Sequence, residues 1–245
     1  MALYGEFKKE DWLRSLNLQE SDIPTSTIIH GEFLHETNLL YWEGTLDQSR
    51  APAWNLRFGN MKNKNIAYAN VYGSPMAATV VHPLAICGCE RFIQTGYFGG
   101  LQADLTYGEV LLVTSAEKDD GVSDKYGPAK TSPALLEAAQ AFCEENNIAY
   151  RLGSIVTTGS YIYETAPMIE RWAAVGHTGV EMEAAATLAI AAQYGREAIA
   201  VLSMSDHLPS QHTFYNATEE RAELEEQAEE NVRRIAKHLA TLTRA

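Results

Sequence analysis

Two carboxylates one residue apart, Glu181 and Glu183, are the residues of this chain best placed for chemistry. They open a run of alanines that favours a helix. An apolar run at 199–205 has the composition of a buried strand and ends at Asp206, about twenty residues further on. Carboxylates at strand ends and helix starts lie at the rim of a sheet, where open α/β folds bind ligands. The alternative interpretation is structural, an acidic first helical turn and a strand that ends in a polar loop.

The elements that must position these carboxylates alternate between strands and helices with short connections. This alternation predicts a single α/β domain, a three-layer α/β/α sandwich around a central mixed β-sheet. We divide the chain into an N-terminal arm, residues 1–26, and one domain, residues 27–245. The last helix is predicted to open with a capping box from Asn216 to Glu219. The predicted strands are 27–30, 65–72, 91–94, 108–115, 154–158 and 199–206.

The composition argues against several classes of function. A chain of 245 residues with 46% hydrophobic content can bury one large core. The formal charge of −13 argues against nucleic acid or an anionic membrane as a partner, because both are bound by clustered Lys and Arg. No apolar run approaches about eighteen residues, and the first residues lack the apolar core of a signal peptide. Three cysteines without disulfide or metal spacing predict a cytoplasmic enzyme with reduced thiols and no metal site.

Two motifs in fixed order carry a family resemblance. Residues 180–185 read Val-Glu-Met-Glu-Ala-Ala, and Ser-Asp-His follows at 205–207. This pair resembles the signature of the purine nucleoside and uridine phosphorylase superfamily, which also contains nucleosidases acting on methylthioadenosine and its relatives. The resemblance covers roughly residues 27–240. It implies a phosphorylase-like fold and an enzyme that cleaves the N-glycosidic bond of a purine nucleoside.

The resemblance also implies roles for individual residues. Glu181, Met182 and Glu183 are expected to bind the ribose hydroxyls. Asp206 is expected to protonate N7 of the departing purine, which requires a carboxyl that holds a proton. Arg221, in the first turn of the last helix, is expected to steady Asp206.

The base is expected to lie against the segment that follows the strand ending at Thr158. In the family this segment supplies an aromatic side chain that stacks on the base. Ile162 aligns best with that position, and it lies between two tyrosines. From residue type alone, such tyrosines are more often packing at a strand end than a base platform. The predicted base-binding residues are Phe98, Gly99, Tyr161, Ile162 and Tyr163.

The attacking group is phosphate in the phosphorylases of this family and water in its nucleosidases. Phosphorylases commonly place Arg where this chain has His35 and Gln94, and Ser or Thr where it has Tyr97. A neutral amide cannot replace an arginine that holds phosphate bidentately. We predict phosphorolysis, with inorganic phosphate as co-substrate and no cofactor. Hydrolysis with His35 or Glu36 as base, and a non-catalytic nucleoside-binding relative, are the alternatives. The predicted phosphate or water site comprises Gly31, His35, Arg50, Ser74, Gln94 and Tyr97.

The resemblance further implies a homo-oligomer, either a dimer or a trimer or hexamer. In such an assembly Arg50 would complete the phosphate site of a neighbouring subunit. Trp42 and Trp54 lie in a segment rich in turn formers and aromatics, and they would suit a subunit interface or, equally, the core. The identity of the base, the 5′ substituent and the oligomer size are left open by the sequence.

Overall fold

The computed structural model describes residues 3–34 and 36–243, apart from the side chain of Phe214. Within these residues, nine strands form one mixed sheet. The strands are β1 Ser26–Gly31, β2 Asp47–Ala53, β3 Leu56–Met61, β4 Lys64–Val71, β5 Arg91–Gly100, β6 Val110–Asp119, β7 Tyr150–Thr158, β8 Gly179–Glu181 and β9 Glu197–His207. The helices are α1 Lys9–Ser15, α2 Glu36–Thr45, α3 Ser74–Cys87, α4 Pro133–Glu145, α5 Ala166–Val175, α6 Ala184–Gln193 and α7 Glu219–Ala240.

The strand order is β2-β3-β4-β1-β5-β8-β7-β6-β9, and β9 also pairs with β5. The five strands from β5 to β9 therefore close on themselves, whereas β2, β3, β4 and β1 extend the sheet to one side. β5 runs parallel to β1 and β9 but antiparallel to β8. The predicted mixed sheet is thus confirmed.

Helices cover both faces of the sheet, which confirms the three-layer sandwich. Neighbouring residues on β1 point to opposite faces, so Ile29 packs beneath α3 and α6 while Ile28 packs beneath α2, α4 and α7. Both side chains are fully buried, and burying each one stabilises the fold by about 1.5–3 kcal/mol. The alanines of α6 are small enough to let that helix lie close to the sheet. None of the helices in the described part of the chain is long and apolar enough to cross a membrane.

Several local features differ from the sequence prediction. The segment at 41–62 is not mainly turns, because it holds the second half of α2 and the strands β2 and β3. Trp42 belongs to the core, where its ring stacks on Tyr68 at 5.2 Å, whereas Trp54 is exposed. The last helix is capped by Thr218, whose hydroxyl accepts from the Arg221 N–H at 3.3 Å, and not by Asn216.

The N-terminal arm packs against the rest of the chain. Leu13 and Leu18 join the core beneath α3, and the Trp12 ring lies edge-on to His82 at 5.9 Å. The first strand begins at Ser26, one residue inside the predicted arm. The arm therefore contributes side chains to the main core through α1 and the residues that follow it. The predicted boundary at residue 26 stays a prediction.

Candidate active site

Strand ends and helix starts meet at one edge of the sheet. Gly31, the last residue of β1, is in register with Val71 of β4 and with Gly96 of β5. α3 begins three residues after β4, and α6 begins three residues after β8. The first turns of both helices and the carboxyl ends of three parallel strands therefore border the same space, which suits ligand binding.

Glu183 lies in this space, between the turns that follow β1 and β4. The Gly73 N–H donates to Oε1 of Glu183 at 2.5 Å. A Cβ atom added to Gly31 would lie only 2.4 Å from Oε2. Gly73 itself has a φ of 82°, a conformation that glycine adopts without strain. Two glycines thus let the backbone surround a carboxylate that is only 7% exposed.

Glu181 has different surroundings, because its oxygens bind groups of the protein. Oε2 accepts from the N–H groups of Glu183 and Ala184, both at 2.7 Å, and Oε1 accepts from the Thr157 hydroxyl. The same hydroxyl accepts from the Ala185 N–H at 2.8 Å. Glu181 therefore holds the first turn of α6 onto β7 and so fixes the position of Glu183.

The two glutamates affect the protonation of each other. Burial raises the pKa of both carboxyls above the ordinary range. The negative charge of Glu181 raises the pKa of Glu183 further, whereas the hydrogen bonds from Thr157 and two N–H groups oppose the rise at Glu181. Glu183 is thus the carboxyl that more readily holds a proton when no ligand is bound.

Met182 joins the two glutamates and is fixed through its backbone. The Ser74 hydroxyl donates to the Met182 carbonyl at 2.9 Å, and Ser74 is almost completely buried. This hydrogen bond ties the start of α3 to the loop that leads into α6. Ser74, predicted for the phosphate or water site, is therefore engaged within the protein.

Aromatic side chains border the opening of the site. Burial, and then the nearby Tyr161 hydroxyl, raises the pKa of Tyr72, on which the charges of Glu183 and Tyr215 also act. The Phe33 ring lies 5.4 Å from that of Tyr72. Of the five predicted base-binding residues, Tyr161 thus lies beside the wall of the site. Tyr161 is partly exposed to solvent in the single chain, and its neighbours Ile162 and Tyr163 are more exposed.

Asp206 lies at the end of β9, in register with Gly99 of β5. The hydroxyl of Ser205 donates to its Oδ2 at 2.5 Å. Glu164, which follows the short turn Tyr161–Tyr163, is a second carboxyl in this region. Burial, and then the negative charge of Asp206, raises the pKa of Glu164 to about 7. The charge of Asp206 therefore acts on the Glu164 carboxyl.

Arg221 is buried beneath the segment that follows Asp206. Its guanidinium donates to two oxygens of the turn at 213–216 and to Glu225 at 2.9 Å, and it lies 5.3 Å from the Tyr107 ring centroid. The charges of Arg221 and Asp206 have opposite effects on the pKa of Tyr107, which burial raises. Arg221 thus anchors this segment and shares its surroundings with Asp206.

Phe98 and Gly99 occupy different positions although they are adjacent. The Phe98 side chain is buried in the main core, against Gly179. The Gly99 backbone pairs with Val180 on one side and with Asp206 on the other. Gly99 therefore borders the site through its main chain, while Phe98 supports the sheet from within.

The residues predicted to bind phosphate or water are brought together only in part, since the Gln94 amide nitrogen lies 3.4 Å from the place of a Cβ on Gly31. Gln94 is completely buried, with its carbonyl oxygen accepting from Thr187 at 2.7 Å and its amide donating to the Thr95 carbonyl at 2.9 Å. Arg50 pairs with Asp22 at 2.9 Å on β2, which two strands separate from β1. Gly31 borders Glu183 as described above. His35 lies outside the described residues.

Tyr97 faces the layer of α2 and α7. Its ring lies edge-on to His30 at 5.7 Å, and burial, followed by the negative charges of Glu229 and Glu32, raises the pKa of its hydroxyl. Arg233 lies beside it, pairing with Glu229, donating to Asn38 at 3.1 Å and covering the Tyr41 ring at 4.6 Å. The Nε of Arg233 is buried and has no hydrogen-bond partner among the described residues. A cation with one unused donor thus stands near Tyr97.

A cleft of about 550 Å³ opens beside Gly73. Glu32 and Glu36 are the charged residues among the described ones that line it, so its wall is acidic. Asn38 donates to Glu32 at 2.5 Å, which fixes that carboxylate in the wall. The cleft is lined by Glu32, Phe33, Leu34, Glu36, Thr37, Trp54, Asn70, Val71, Tyr72 and Met76.

Two residues of the site were not singled out from the sequence. Tyr72 precedes Gly73 in the turn after β4, and Glu164 ends the segment predicted to hold the base. A polar residue directly after a strand is a signal that could have suggested Tyr72, whereas Glu164 lies six residues beyond the end of β7. Their neighbours depend on contacts between distant segments, so the sequence alone did not separate them from ordinary loop residues.

Comparison with known proteins agrees with this geometry. The phosphorylase superfamily model matches residues 40–244. A guanosine phosphorylase from Halorubrum lacusprofundi is 30% identical over 166 residues, which cover 66% of this chain and 68% of that relative. A DeoD-type purine nucleoside phosphorylase from Clostridium perfringens is 30% identical over 157 residues, covering 61% of this chain and 67% of the relative.

A solved structure has the same fold. The uridine phosphorylase from Vibrio fischeri ES114 matches with a TM-score of 0.78 and 22% sequence identity, covering 98% of this chain and 99% of that one. At this identity the match establishes the fold alone. The family match over most of the chain and the relative at 30% identity show membership independently of the two motifs. The chain belongs to the phosphorylase superfamily.

Proposed function

We propose that this protein cleaves the N-glycosidic bond of a purine nucleoside by phosphorolysis, releasing the base and ribose 1-phosphate. The observation that carries the proposal is Glu183, a buried carboxylate held by the Gly73 N–H at the edge where strand ends and helix starts meet. Relatives named as guanosine and purine nucleoside phosphorylases support the reaction and the purine.

The ribose binds at Glu183 in this proposal. Its 2′- and 3′-hydroxyls donate to the carboxylate, which loses its proton as the nucleoside binds, and the backbone of Met182 borders the sugar. The transition state of glycoside cleavage carries positive charge on the sugar ring. An ionised carboxylate beside that ring stabilises the charge more strongly than it stabilises the substrate, which lowers the barrier. Glu181 holds the start of α6 in place and so contributes by positioning Glu183.

The base leaves toward Asp206. A purine that departs from the sugar gains negative charge, and a proton delivered to N7 neutralises it. Asp206 lies at the end of β9 beside the Gly99 backbone, at the side of the site opposite β4. Arg221 keeps the segment after Asp206 in place through its hydrogen bonds to the turn at 213–216. Tyr161, joined to Tyr72, covers the base.

Phosphate enters from the side of β1 in this account. The cation that compensates for the absent arginines is Arg233, whose buried Nε has no partner among the described residues and which lies beside Tyr97. A permanently charged guanidinium suits an anion better than the amide of Gln94. Arg50 and His35 are retained as further phosphate contacts, Arg50 from a neighbouring subunit.

Hydrolysis is the second candidate, and two observations favour it. The Gln94 amide is used within the core, and the cleft beside Gly73 is walled by the carboxylates of Glu32 and Glu36. An acidic wall repels phosphate and can accept a proton from water. In that account Glu36 or His35 acts as the base.

Assembly and location complete the proposal. Exposed apolar side chains, among them Trp54, Phe33 and Leu34, line the cleft and suit contact with a second copy of the chain. We therefore propose that the protein forms a homo-oligomer of two, three or six subunits. The three cysteines are free and buried, which suits the cytoplasm.

The deciding experiment measures base release from adenosine, inosine and methylthioadenosine with and without phosphate. Phosphorolysis requires phosphate and yields a sugar 1-phosphate, whereas hydrolysis proceeds without phosphate and yields free sugar. The Asp206→Asn variant should lose about 10²–10⁴-fold in kcat for these nucleosides, since it cannot supply the proton. Full activity of that variant would contradict the role of Asp206, and no base release under either condition would contradict the proposed function.

A further inference from the structure

His30 and Glu32 form a pair at the end of β1, beside the cleft. They are two residues apart in extended chain, so their side chains point to the same side of the sheet. Nε2 of His30 lies 3.5 Å from Oε2 of Glu32. His30 is only 4% exposed, whereas Glu32 lines the cleft. A buried imidazole thus stands directly behind a carboxylate that a ligand in the cleft can reach.

The hydrogen bonds of Thr95 fix the tautomer of His30. The Thr95 hydroxyl donates its single proton to the Ile29 carbonyl at 3.1 Å. The same hydroxyl lies 2.9 Å from Nδ1 of His30 and therefore accepts a hydrogen bond from it. In the neutral imidazole Nε2 then carries no proton, and its lone pair faces Glu32.

Asn38 holds the two facing groups in place. The guanidinium of Arg233 donates to Oδ1 of Asn38 at 3.1 Å, which turns the amide nitrogen toward the pair. That nitrogen donates to Oε2 of Glu32 at 2.5 Å and lies 3.3 Å from Nε2 of His30. Asn70 of β4 donates to the Glu32 carbonyl at 2.8 Å. Residues of α2, α7 and β4 therefore fix two proton acceptors that face each other.

We propose that Glu32 is the catalytic base that accepts the proton of the attacking nucleophile, with His30 as the positioning residue that stabilises the protonated carboxyl. The proposal deepens the proposed function and rests on it. Once Glu32 is protonated, its O–H donates to Nε2 of His30, so the proton converts a contact between two acceptors into a hydrogen bond. The same pair serves the phosphate monoanion and water, because each loses a proton when it bonds to C1′.

The proton balance of the step is complete. An oxygen of the nucleophile forms a bond to C1′ while the C1′–N9 bond breaks, with its electron pair going to the base. The proton of the nucleophile passes to Glu32, and the proton of Asp206 passes to N7 of the base. The products are the neutral base and ribose 1-phosphate, or free ribose when water attacks. Glu32 then gives its proton to water, and Asp206 takes one from water.

The proposal reconciles an acidic wall with an anionic co-substrate. The phosphate monoanion is repelled by an ionised Glu32, and this repulsion is removed once the proton has made the carboxyl neutral. The other groups that face the pair do not replace it as the acceptor. Arg233 is a cation and pairs with Glu229, and the Tyr97 ring lies edge-on to His30 at 5.7 Å. Burial raises the pKa of Tyr97, so its hydroxyl stays neutral.

The test compares nucleophiles that carry a proton with azide, an anion that has none to lose. We expect Glu32→Gln to lower kcat for base release by about 10²–10⁴-fold with phosphate or water, and runs with and without phosphate show which of them wild type uses. With azide, measured as ribosyl azide, the loss should be less than about threefold, since no proton has to be accepted. His30→Gln should lose about tenfold with phosphate or water and likewise recover with azide. Glu43→Gln, on the exposed side of α2, is the matched control and should leave all rates unchanged.

Equal losses with and without azide in Glu32→Gln would overturn the inference, because they would indicate a structural role. A loss confined to Glu36→Gln, the other carboxyl of the cleft, would also overturn it. Failure of the proposed function would look different, because wild type would then release no base with any nucleophile. In that case ¹⁵N NMR of His30 decides, with His30→Gln to assign the signal. An unprotonated Nε2 at neutral pH supports the pair as a proton acceptor, and a protonated Nε2 refutes it.

Discussion

Gly31→Ala tests the geometry around Glu183 with the smallest possible change. The backbone of Gly31 has no left-handed φ, so alanine is excluded only by lack of space. The new methyl carbon would lie 2.4 Å from Oε2 and 2.8 Å from Cδ of Glu183. The carboxylate must then retreat by about 1 Å to reach an ordinary contact distance. Because Gly73 holds its other oxygen, that retreat breaks or distorts the hydrogen bond.

Two effects of different size follow. Because Glu183 holds a proton when no ligand is bound, this is a hydrogen bond between neutral groups worth about 0.5–1.5 kcal/mol, and Gly31→Ala should lower the free energy of unfolding by about that amount. A displacement of about 1 Å in a positioning group costs about 10²-fold in rate. We therefore expect kcat/KM for the preferred nucleoside to fall about 100-fold in a protein that stays folded at 25 °C. Steady-state kinetics and urea unfolding measure the two quantities on the same preparation.

The controls separate the close contact from a general effect of alanine. Gly44 lies in α2 with no atom within 4 Å of an added Cβ, so Gly44→Ala should leave activity unchanged and stabilise the fold by up to about 1 kcal/mol. In a Glu183→Ala background, Gly31→Ala should cost less than about 0.5 kcal/mol, because the clashing group is gone. Wild-type kcat/KM in Gly31→Ala, or an equal stability loss in both backgrounds, would refute the reasoning.

Two further predictions concern stability. The pKa of Glu183 is raised in the folded protein, so its contribution to stability is full below about pH 4.5 and is lost as the pH rises through the raised value. Glu183→Gln should therefore gain stability relative to wild type with increasing pH between about 5 and 9, measured by thermal unfolding, and a difference that stays constant, as expected for the exposed control Glu226→Gln, would contradict it. Thr157→Val removes the hydroxyl that donates to Glu181 and accepts from a main-chain N–H of α6, and urea unfolding should show a loss of about 1–3 kcal/mol. The exposed Thr79→Val should change stability by less than about 0.5 kcal/mol, and an equal effect of both variants would mean that burial of the hydroxyl is unimportant.

The local structure of the chain could largely be predicted from its sequence. The helix from Ser74 was marked by Pro75 in its first turn, and the strand leading to Asp206 by its apolar, β-favouring residues. These signals are short-range, because hydrogen bonding and side-chain periodicity act within a few residues. The two family motifs identified Glu183 and Asp206 as candidates, because a motif and its order along the chain can be recognised in the sequence without knowing which residues are in contact.

The burial and the partners of individual side chains could not be predicted from the sequence. The sequence could not tell that Trp42 packs in the core while Trp54 faces solvent, because both are tryptophans with similar neighbouring residues in the sequence. Nor could the sequence tell that the Gln94 side chain accepts from Thr187 of α6 and donates to a backbone carbonyl, and its place in a phosphate site stays a prediction. Such partners lie on other elements, and residue type does not reveal them.

By itself, then, the sequence determined the succession of strands and helices, the mixed α/β class and the two motifs that place the chain in its family. Only the tertiary structure decided that β9 returns to pair with β5, which brings Asp206 beside Gly99 and into range of Glu164. It also decided that Glu181 caps α6 while Glu183 borders the open space. The physical reason is that burial and charge interactions depend on distance in space, and the groups concerned are joined by pairing between strands about a hundred residues apart.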